Sequence, residues 1–175
     1  MSLMVEGNWL AVKRTDERAF ALYRRHYSFK KNAPYRCPGN TNVTGPAETM
    51  VLLTPRCDAL FVWIRNTIER WDHQEGINCA VFRNDGRGSA RLLSSDLIRE
   101  ASELARGRWP GQRLWTYVDP AEIRSVQVMG KEPGQCFIAA GWRPCGESAE
   151  GKAILELLPD ATLSVVNASA PSPVG

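Results

Sequence analysis

The sequence predicts a mixed α/β fold in which helices pack on a central mixed sheet of about seven strands. Short apolar runs bounded by Pro, Gly, Asn and Asp are typical of strands. Runs with apolar residues three or four positions apart are typical of amphipathic helices. The two patterns alternate along the chain in the order β-α-β-β-β-α-β-α-β-β, and this alternation favours a sheet covered by helices.

The first half of the chain supplies four predicted strands and one helix. Thr15 is the predicted N-cap, and aromatic residues at helical spacing predict a helix over residues 16–27. A loop rich in Pro, Gly and Asn covers 28–46, and loops of this length often carry function. The motif PRCD separates two apolar runs and is typical of a hairpin. The predicted strands lie at 9–13, 49–54, 59–64 and 77–82.

The second half supplies two more helices and three strands. Apolar residues recur at helical spacing between 93 and 105, and Gly107 with Pro110 is predicted to end that helix. Pro133 is predicted to open a short helix that Gly141 stops. The strands at 77–82 and 113–118 are predicted to form a right-handed parallel crossover, and a strand pair around AEGK follows the last helix. One domain is therefore predicted at 1–160, with a disordered tail at 161–175.

Composition narrows the class of protein. The chain has 175 residues, of which 43% are hydrophobic and 23% charged, as in soluble globular proteins. It contains no apolar run of the length of a membrane span and no secretory signal pattern at the N-terminus, so we expect a cytoplasmic protein, in a bacterial host cell, without a membrane partner. Five cysteines without Cys-x-x-Cys spacing and only two histidines predict reduced cysteines and no metal site.

Positive charge is concentrated near the N-terminus. Residues 1–40 contain eight Lys or Arg and three Asp or Glu, a net charge of +5, whereas the whole chain carries +3. A basic segment of this kind can attract nucleic acid or another polyanion. The alternative is that these residues form an ordinary solvated helix face.

An arginine and two glycines separate the fourth predicted strand from the long helix. Gly86 and Gly88 leave backbone N–H groups open to an anion, and Arg83 adds a guanidinium that can bind an oxyanion through two hydrogen bonds. Two registers fit: the helix begins near Gly88, or Ser94 caps a helix that starts at Ser95 and both hydroxyls face the ligand. The loop therefore predicts an anion site, such as one for cofactor phosphates, with a plain strand–helix turn as the alternative.

The element order and this loop resemble the GNAT (GCN5-related N-acetyltransferase) superfamily over roughly residues 8–158. RNDGRG is similar to the Arg/Gln-x-x-Gly-x-Gly/Ala motif of that superfamily, and CFIAAGW with GKAILEL resembles its last helix and closing hairpin. The segments RRHYS, CAVFRN, SSDLIREA, TYVDP and GQCFIAAGW resemble phage and prophage proteins related to Mom, which modify adenine in DNA. The resemblance implies a GNAT-like fold and a transferase.

Four side chains are predicted to act on the acceptor. Asp119 and Tyr117 end the strand at 113–118, beside the crevice expected outside the carboxyl ends of parallel strands, where Asp119 can accept a proton from an amine. The resemblance places acceptor recognition on the first helix and the loop after it. His26 in this region is expected to titrate near neutral pH, and Tyr27 can be a core residue, a stacking surface or a proton donor. The alternatives are a turn role for Asp119 before Pro120 and a cation at a helix C-terminus for His26.

The sequence departs from the family at one position. Many members carry a tyrosine on the last helix that protonates the departing thiolate, and that position is Phe137 here. Three functions remain open. They are a Mom-like enzyme acting on a flipped-out adenine of double-stranded DNA, an N-acetyltransferase acting on a small-molecule or protein amine, and a non-catalytic binding protein. The implied cofactor is acetyl-CoA or a related acyl-CoA.

Overall fold

Eight strands and four α-helices make up the part of the chain that the computed structural model describes, which is residues 3–4, 7–30, 39–86 and 92–160. The strands are β1 (Leu3–Met4), β2 (Leu10–Val12), β3 (Glu48–Leu53), β4 (Ala59–Arg65), β5 (Ile77–Asn84), β6 (Leu114–Val118), β7 (Arg143–Glu147) and β8 (Ala153–Leu157). The helices are α1 (Glu17–Tyr23), α2 (Ser94–Arg108), α3 (Arg124–Met129) and α4 (Gln135–Ala139), and a 3-10 turn spans Pro120–Glu122. Gly88 and the predicted tail at 161–175 lie outside the described residues.

The strands form one mixed sheet in the spatial order β1-β2-β3-β4-β5-β6-β8-β7. β5 and β6 pair in parallel, and every other neighbouring pair is antiparallel. The predicted mixed α/β class and the parallel pairing across α2 are therefore confirmed. β1, the 3-10 turn and α3 were not predicted, since each is short and lacks a clear periodic pattern.

The first helix is shorter than predicted and begins with a different cap. Asp16, not Thr15, is the N-cap, because its carboxylate accepts hydrogen bonds from the backbone N–H groups of Arg18 and Ala19. The helix ends at Tyr23, and residues 24–29 form turns instead of the predicted continuation. His26 consequently lies in a turn after the helix, where its local surroundings decide its chemistry.

The long helix α2 begins at Ser94, so the interpretation in which it begins near Gly88 is wrong. Leu93 is the N-cap residue, with extended backbone and no side-chain cap hydrogen bond. Ser94 therefore does not cap the helix, as the second register required, but is its first residue. Gly107, predicted at the end, lies in the last turn.

Alternating residues of β4 show how the two faces of the sheet are buried. Phe61 and Trp63 pack in the cluster that α2 and α4 cover, while Leu60 and Val62 pack in the cluster that α1 covers. Three indole N–H groups fix α2 on its face. Trp9 and Trp63 donate to the carbonyl oxygens of Leu97 and Ala101, and Trp142 donates to the hydroxyl of Ser102. In the described ranges, no helix combines the length and apolar character needed to cross a membrane.

Candidate functional site

A β-bulge at Ala80 interrupts the centre of the sheet. Ala80 is the extra residue, because Val62 and Trp63 of β4 pair with Val81 and Cys79 of β5. The parallel pairing of β5 with β6 also ends at Cys79. Beyond that residue both strands continue without pairing to each other, so the sheet opens between them.

The unpaired ends of β5 and β6 border a cavity of about 370 Å³, called the gap cavity below. Phe82 and Phe137 form apolar parts of its wall, and Cys136 lies beside them. The structure brings four of the predicted site residues together around this cavity: His26, Tyr27, Arg83 and Tyr117.

A second cavity of about 440 Å³, the helix cavity, continues from the gap cavity along the start of α2. Ser94 and Ser95 line it with Lys131 and Glu132. Among the described residues, no protein acceptor receives the backbone N–H groups of these two serines, which are the first two of the helix. The Ser94 hydroxyl lies 3.1 Å from the Asn84 side-chain nitrogen, which donates to it. The gap and helix cavities share the following lining residues: Ile123, Gly134 and Cys136.

A third cavity of about 480 Å³, the α1-side cavity, lies on the opposite face of the sheet. Its polar lining comes from Ser28, Asn40, Asn42 and Thr44. Ala80, the bulge residue, lines both this cavity and the gap cavity. The gap cavity therefore shares lining residues with both of the other cavities, three with the helix cavity and Ala80 with the α1-side cavity.

His26 is a neutral imidazole in this site. Burial, together with the nearby positive charge of Arg83, lowers its pKa from 6.5 to about 4. This lowered pKa disagrees with the predicted titration of His26 near neutral pH. It also disfavours the alternative of a cation at a helix C-terminus, because α1 already ends at Tyr23. The Ser28 backbone N–H donates to Nδ1 at 3.2 Å, and the Ser28 hydroxyl oxygen lies 2.8 Å from the same nitrogen.

Tyr27 stacks on His26, with ring centroids 4.3 Å apart and an angle of 30° between the rings. Burial raises the pKa of the Tyr27 phenol. A hydrogen bond with the Asp119 backbone acts in the opposite direction, and the negative charges of Asp119 and Glu122 add to the rise. The phenol is consequently protonated at neutral pH and able to donate a hydrogen bond. Because 43% of the residue is exposed, Tyr27 forms part of the rim of the cavity.

Arg83 is held by groups of the protein itself. Its side chain pairs with Asp85 at 2.7 Å and donates to the carbonyl oxygen of Arg25, and Asp85 also pairs with the Arg25 guanidinium at 2.7 Å. The backbone N–H of Gly86 donates to the Asn84 side chain at 3.0 Å. Arg83 therefore connects β5 to the loop that carries His26, and the Gly86 N–H is already bonded within the protein.

Tyr117 and Asp119 also make internal hydrogen bonds. The Tyr117 hydroxyl donates to Asp72 at 2.9 Å, and Asp72 pairs with Arg70 at 2.6 Å. Burial and this hydrogen bond raise the pKa of Tyr117 to about 12, while the hydrogen bond from Arg70 lowers the pKa of Asp72. The Asp119 carboxylate accepts from the Ala121 N–H at 3.0 Å, so it caps the 3-10 turn, and it does not line the gap cavity.

Several residues of the site were not predicted. Asp72 is 45 positions from its partner Tyr117, and no sequence spacing signals that contact. Asn42 lies in a loop without periodicity. Ser28, two positions after His26, could have been found, because serine side chains commonly bond to nearby groups in turns. In the described ranges, no cluster of three His, Cys, Asp or Glu side chains is placed to hold a metal ion.

Comparisons with known proteins give no family for the chain. The geometry of the opening between β5 and β6 is therefore the basis for proposing a function. No protein-family model matches the sequence, and no curated protein matches it either.

Proposed function

We propose that this protein is a GNAT-like transferase of the Mom type, which uses acetyl-CoA or a related acyl-CoA to modify the N6 amine of adenine in DNA. The observation that carries the proposal is the end of β5–β6 pairing at Cys79, followed by a cavity between the two strands. The helix cavity and the α1-side cavity, which lie on opposite faces of the sheet, each share lining residues with this gap cavity. A cofactor and an acceptor can therefore approach one point from opposite sides.

The helix cavity fits the phosphates of the cofactor. The N–H groups of Ser94 and Ser95, which have no protein acceptor among the described residues, stand at the start of the 15-residue helix α2 and suit an anion. Lys131 adds a positive charge at the same cavity, while Glu132 opposes it. When bound there, an acyl thioester would supply an activated carbonyl carbon. In this proposal Ser94 and Ser95 bind the cofactor phosphates, as predicted. Arg83 has a different role, because it holds the loop that carries His26 by donating to the Arg25 carbonyl oxygen.

The α1-side cavity fits a planar base. Apolar side chains such as Val43 and Val81 line it together with two amide side chains, Asn40 and Asn42. Asparagine amides can pair with the N6/N7 edge of adenine. A paired adenine cannot reach such a cavity, so the base must leave the duplex. Tyr27, stacked on His26 at the rim, offers a ring on which a base can stack.

Phe137 makes the proton transfer differ from that of an acetyltransferase with a tyrosine at this position. It is 5% exposed and packs edge-on against Phe82 and Trp142. Because Tyr117 already donates to Asp72, Tyr27 is the remaining phenol at the gap cavity. We therefore assign the proton-donating role in this proposal to Tyr27.

Alkylation of Cys136 tests the cofactor site directly. Cys136 lines both the gap and helix cavities, whereas Cys145 is exposed elsewhere and serves as an internal control. We expect acetyl-CoA to slow the labelling of Cys136 by N-ethylmaleimide, measured by peptide mass spectrometry, and to leave Cys145 unaffected. If saturating acetyl-CoA left the labelling rate of Cys136 unchanged, as it should leave that of Cys145, the result would contradict the cofactor assignment.

Mass spectrometry of nucleosides tests the acceptor. DNA from cells expressing the protein should contain a modified deoxyadenosine, and Asn42→Ala should reduce its amount. Thr41→Ala is the matched control, because the Thr41 hydroxyl donates to the Thr15 carbonyl oxygen and does not line the cavity. If the DNA were unmodified while acetyl-CoA still protected Cys136, DNA would be rejected as the acceptor and the cofactor assignment would stand.

One observation favours a second candidate, an N-acetyltransferase acting on a cationic amine. Asp119 and Glu122 are close enough to raise the pKa of Tyr27, so carboxylates lie near the rim of the gap cavity. Such charges attract an ammonium group. Acetyl-CoA turnover with small amines, without any modified nucleoside, would select this function.

A further inference from the structure

The turn after α1 holds the His26 ring in one orientation. The backbone N–H of His26 donates to the Tyr23 carbonyl oxygen, and its own carbonyl oxygen accepts from the Phe29 N–H, both at 2.9 Å. Arg83 donates from β5 to the neighbouring Arg25 carbonyl oxygen. The backbone on both sides of the ring is therefore fixed by hydrogen bonds, and the ring itself lines the gap cavity.

The two contacts with Ser28 determine which ring nitrogen carries the proton. The backbone N–H of Ser28 points at Nδ1 from 3.2 Å, and a proton on Nδ1 would face that N–H directly. Nδ1 must therefore present its lone pair, and the Ser28 hydroxyl at 2.8 Å can donate to it as well. A neutral imidazole has one protonated nitrogen, so the proton resides on Nε2.

The charges around the ring favour this neutral form. Arg83 on β5 lies near the ring and disfavours a positive charge on it. Asp85 does not offset this effect fully, because it pairs with both Arg83 and Arg25. Tyr27, stacked on the ring, is itself uncharged at neutral pH. Nε2–H is then the polar group of the ring left for a ligand.

We propose that Ser28 is a positioning residue that holds His26 as the neutral Nε2–H tautomer, so that His26 donates a hydrogen bond to a ligand oxygen in the gap cavity. The chemical class of that acceptor is a carbonyl oxygen, such as that of an acyl thioester. A preformed donor aimed at such an oxygen stabilises the negative charge that develops on it during acyl transfer. The role towards the ligand rests on the proposed function, whereas the tautomer does not.

Nitrogen NMR of the ligand-free protein tests the tautomer. The chain has only two histidines, and a His73→Asn variant removes the signals of the other, exposed one. In ¹⁵N-histidine-labelled protein at pH 7 we expect an unprotonated Nδ1 and a protonated Nε2 for His26. A proton on Nδ1, or an imidazolium at pH 6, would overturn the proposal, and neither outcome depends on the cofactor.

Variants of Ser28 test its positioning role in the same spectra. Ser28→Ala keeps the backbone N–H but removes the hydroxyl, so we expect His26 to keep the Nε2–H tautomer while its titration midpoint rises. Ser28→Thr, which retains a hydroxyl, should restore the original midpoint. An unchanged midpoint in Ser28→Ala would show that the hydroxyl has no such role.

Two amide substitutions separate a donor from a base. The amide nitrogen of His26→Gln can occupy the place of Nε2, whereas that of His26→Asn overlaps Nδ1, and neither amide can take up a proton. In the assay that shows transfer, with acetyl-CoA and duplex DNA or an amine, we expect His26→Asn to lower kcat about 100-fold and His26→Gln to retain most of it. Equal losses in the two variants would overturn the donor role, while protection of Cys136 by acetyl-CoA reports separately on the cofactor site.

Discussion

His26 and Tyr27 are adjacent in sequence and stacked in space, yet their environments affect their charges in different ways. Both are held as neutral groups at pH 7, His26 because burial and Arg83 disfavour the imidazolium, and Tyr27 because burial and nearby carboxylates disfavour the phenolate. At the residue scale, the site therefore contains two neutral hydrogen-bond donors on one rim. Two such groups are suited to donating hydrogen bonds to acceptor atoms of a ligand, and less suited to acting as general bases.

The lowered pKa of His26 makes stability depend on pH. The unfolded chain takes up a proton near pH 6.5, while the folded His26 does so only near pH 4. The free energy of unfolding should therefore fall as the pH drops from about 6.5 to about 4, by on the order of 2 kcal/mol. Denaturant unfolding across this range should show a smaller fall for His26→Gln, which has no proton to take up. Identical pH profiles for both proteins would contradict the lowered pKa.

Two glycines with positive φ give a matched test of backbone crowding. At Gly76 (φ 101°) an added Cβ would lie 2.2 Å from the Arg113 carbonyl oxygen, whereas at Gly111 (φ 74°) it would meet nothing within 4 Å. We expect Gly76→Ala to lower the free energy of unfolding by more than about 2 kcal/mol and Gly111→Ala by about 1 kcal/mol. Chemical denaturation of both variants measures the difference, and equal effects would show that the chain at Gly76 can move away from Arg113.

At the element scale, the bulge in β5 links the fold to the site. Cys79 faces the α2 cluster and Val81 faces the α1 cluster, so the alternation of a strand resumes if Ala80 is skipped. The bulge residue thus lengthens β5 by one residue, and the other side chains of the strand stay on the faces that a regular strand would give them. The strand that is affected is the neighbour β6, because its pairing with β5 stops at the bulge.

Deletion of Ala80 should separate folding from ligand binding. The shortened β5 keeps its apolar residues on their present faces, so we expect a folded protein with a cooperative thermal transition. The regular strand can continue pairing with β6 and narrow the gap cavity, so acetyl-CoA should no longer protect Cys136 from alkylation. Ala80→Gly is the control, because it retains the extra residue. Undiminished protection in the deletion variant would show that the bulge does not create the site.

The elements themselves were predictable to different degrees. β4 and β5 were found because their apolar runs are long, and α2 because its apolar face repeats with helical spacing. The end of α1 was predicted four residues too late, since Tyr27 continues the helical spacing although it lies in a turn. The bulge was not predicted, because an extra Ala within an apolar run leaves no signal when its neighbours are apolar as well.

At the scale of the whole molecule, positive charge lies on the side of the sheet that carries the proposed acceptor cavity. Lys13, Arg24 and Lys30 flank α1 and are exposed. In the described ranges no carboxylate lies within ion-pair distance of these three side chains. Lys13, Arg24 and Lys30 therefore present positive charge, unpaired among the described residues, next to the loop that lines the α1-side cavity.

These cations make duplex binding sensitive to salt. If DNA is the acceptor, its affinity should fall steeply between 50 and 200 mM salt. Arg24→Glu and Lys30→Glu should each reduce the slope of log affinity against log salt by about 1. Lys152→Glu, in the turn between β7 and β8 at the far edge of the sheet, makes the same charge change and should leave the slope unaltered. Fluorescence anisotropy with a labelled duplex measures the salt dependence of affinity for all three variants. If Arg24→Glu and Lys30→Glu had the same slope as Lys152→Glu, this surface would be excluded as the DNA contact.

Most of the site's location, but little of its chemistry, could be predicted from sequence. The position of His26, Tyr27, Arg83 and Tyr117 around one cavity follows from the order of strands and helices. The hydrogen bonds of Tyr117 to Asp72 and of Arg83 to Arg25 depend on how loops fold back over the sheet. Charge states follow from such contacts, and for that reason the neutral His26 was not predicted.

The connection between β4 and β5 has an optical consequence. Five of the six tryptophans are at most 4% exposed, whereas Trp71, between Arg70 and Asp72, is 77% exposed. A water-soluble quencher such as acrylamide should therefore extinguish the red-shifted emission of this single indole first. Asp72 accepts a hydrogen bond from Tyr117, which lines the gap cavity. Trp71 is therefore a native fluorophore directly adjacent in the chain to a residue that contacts the wall of this cavity.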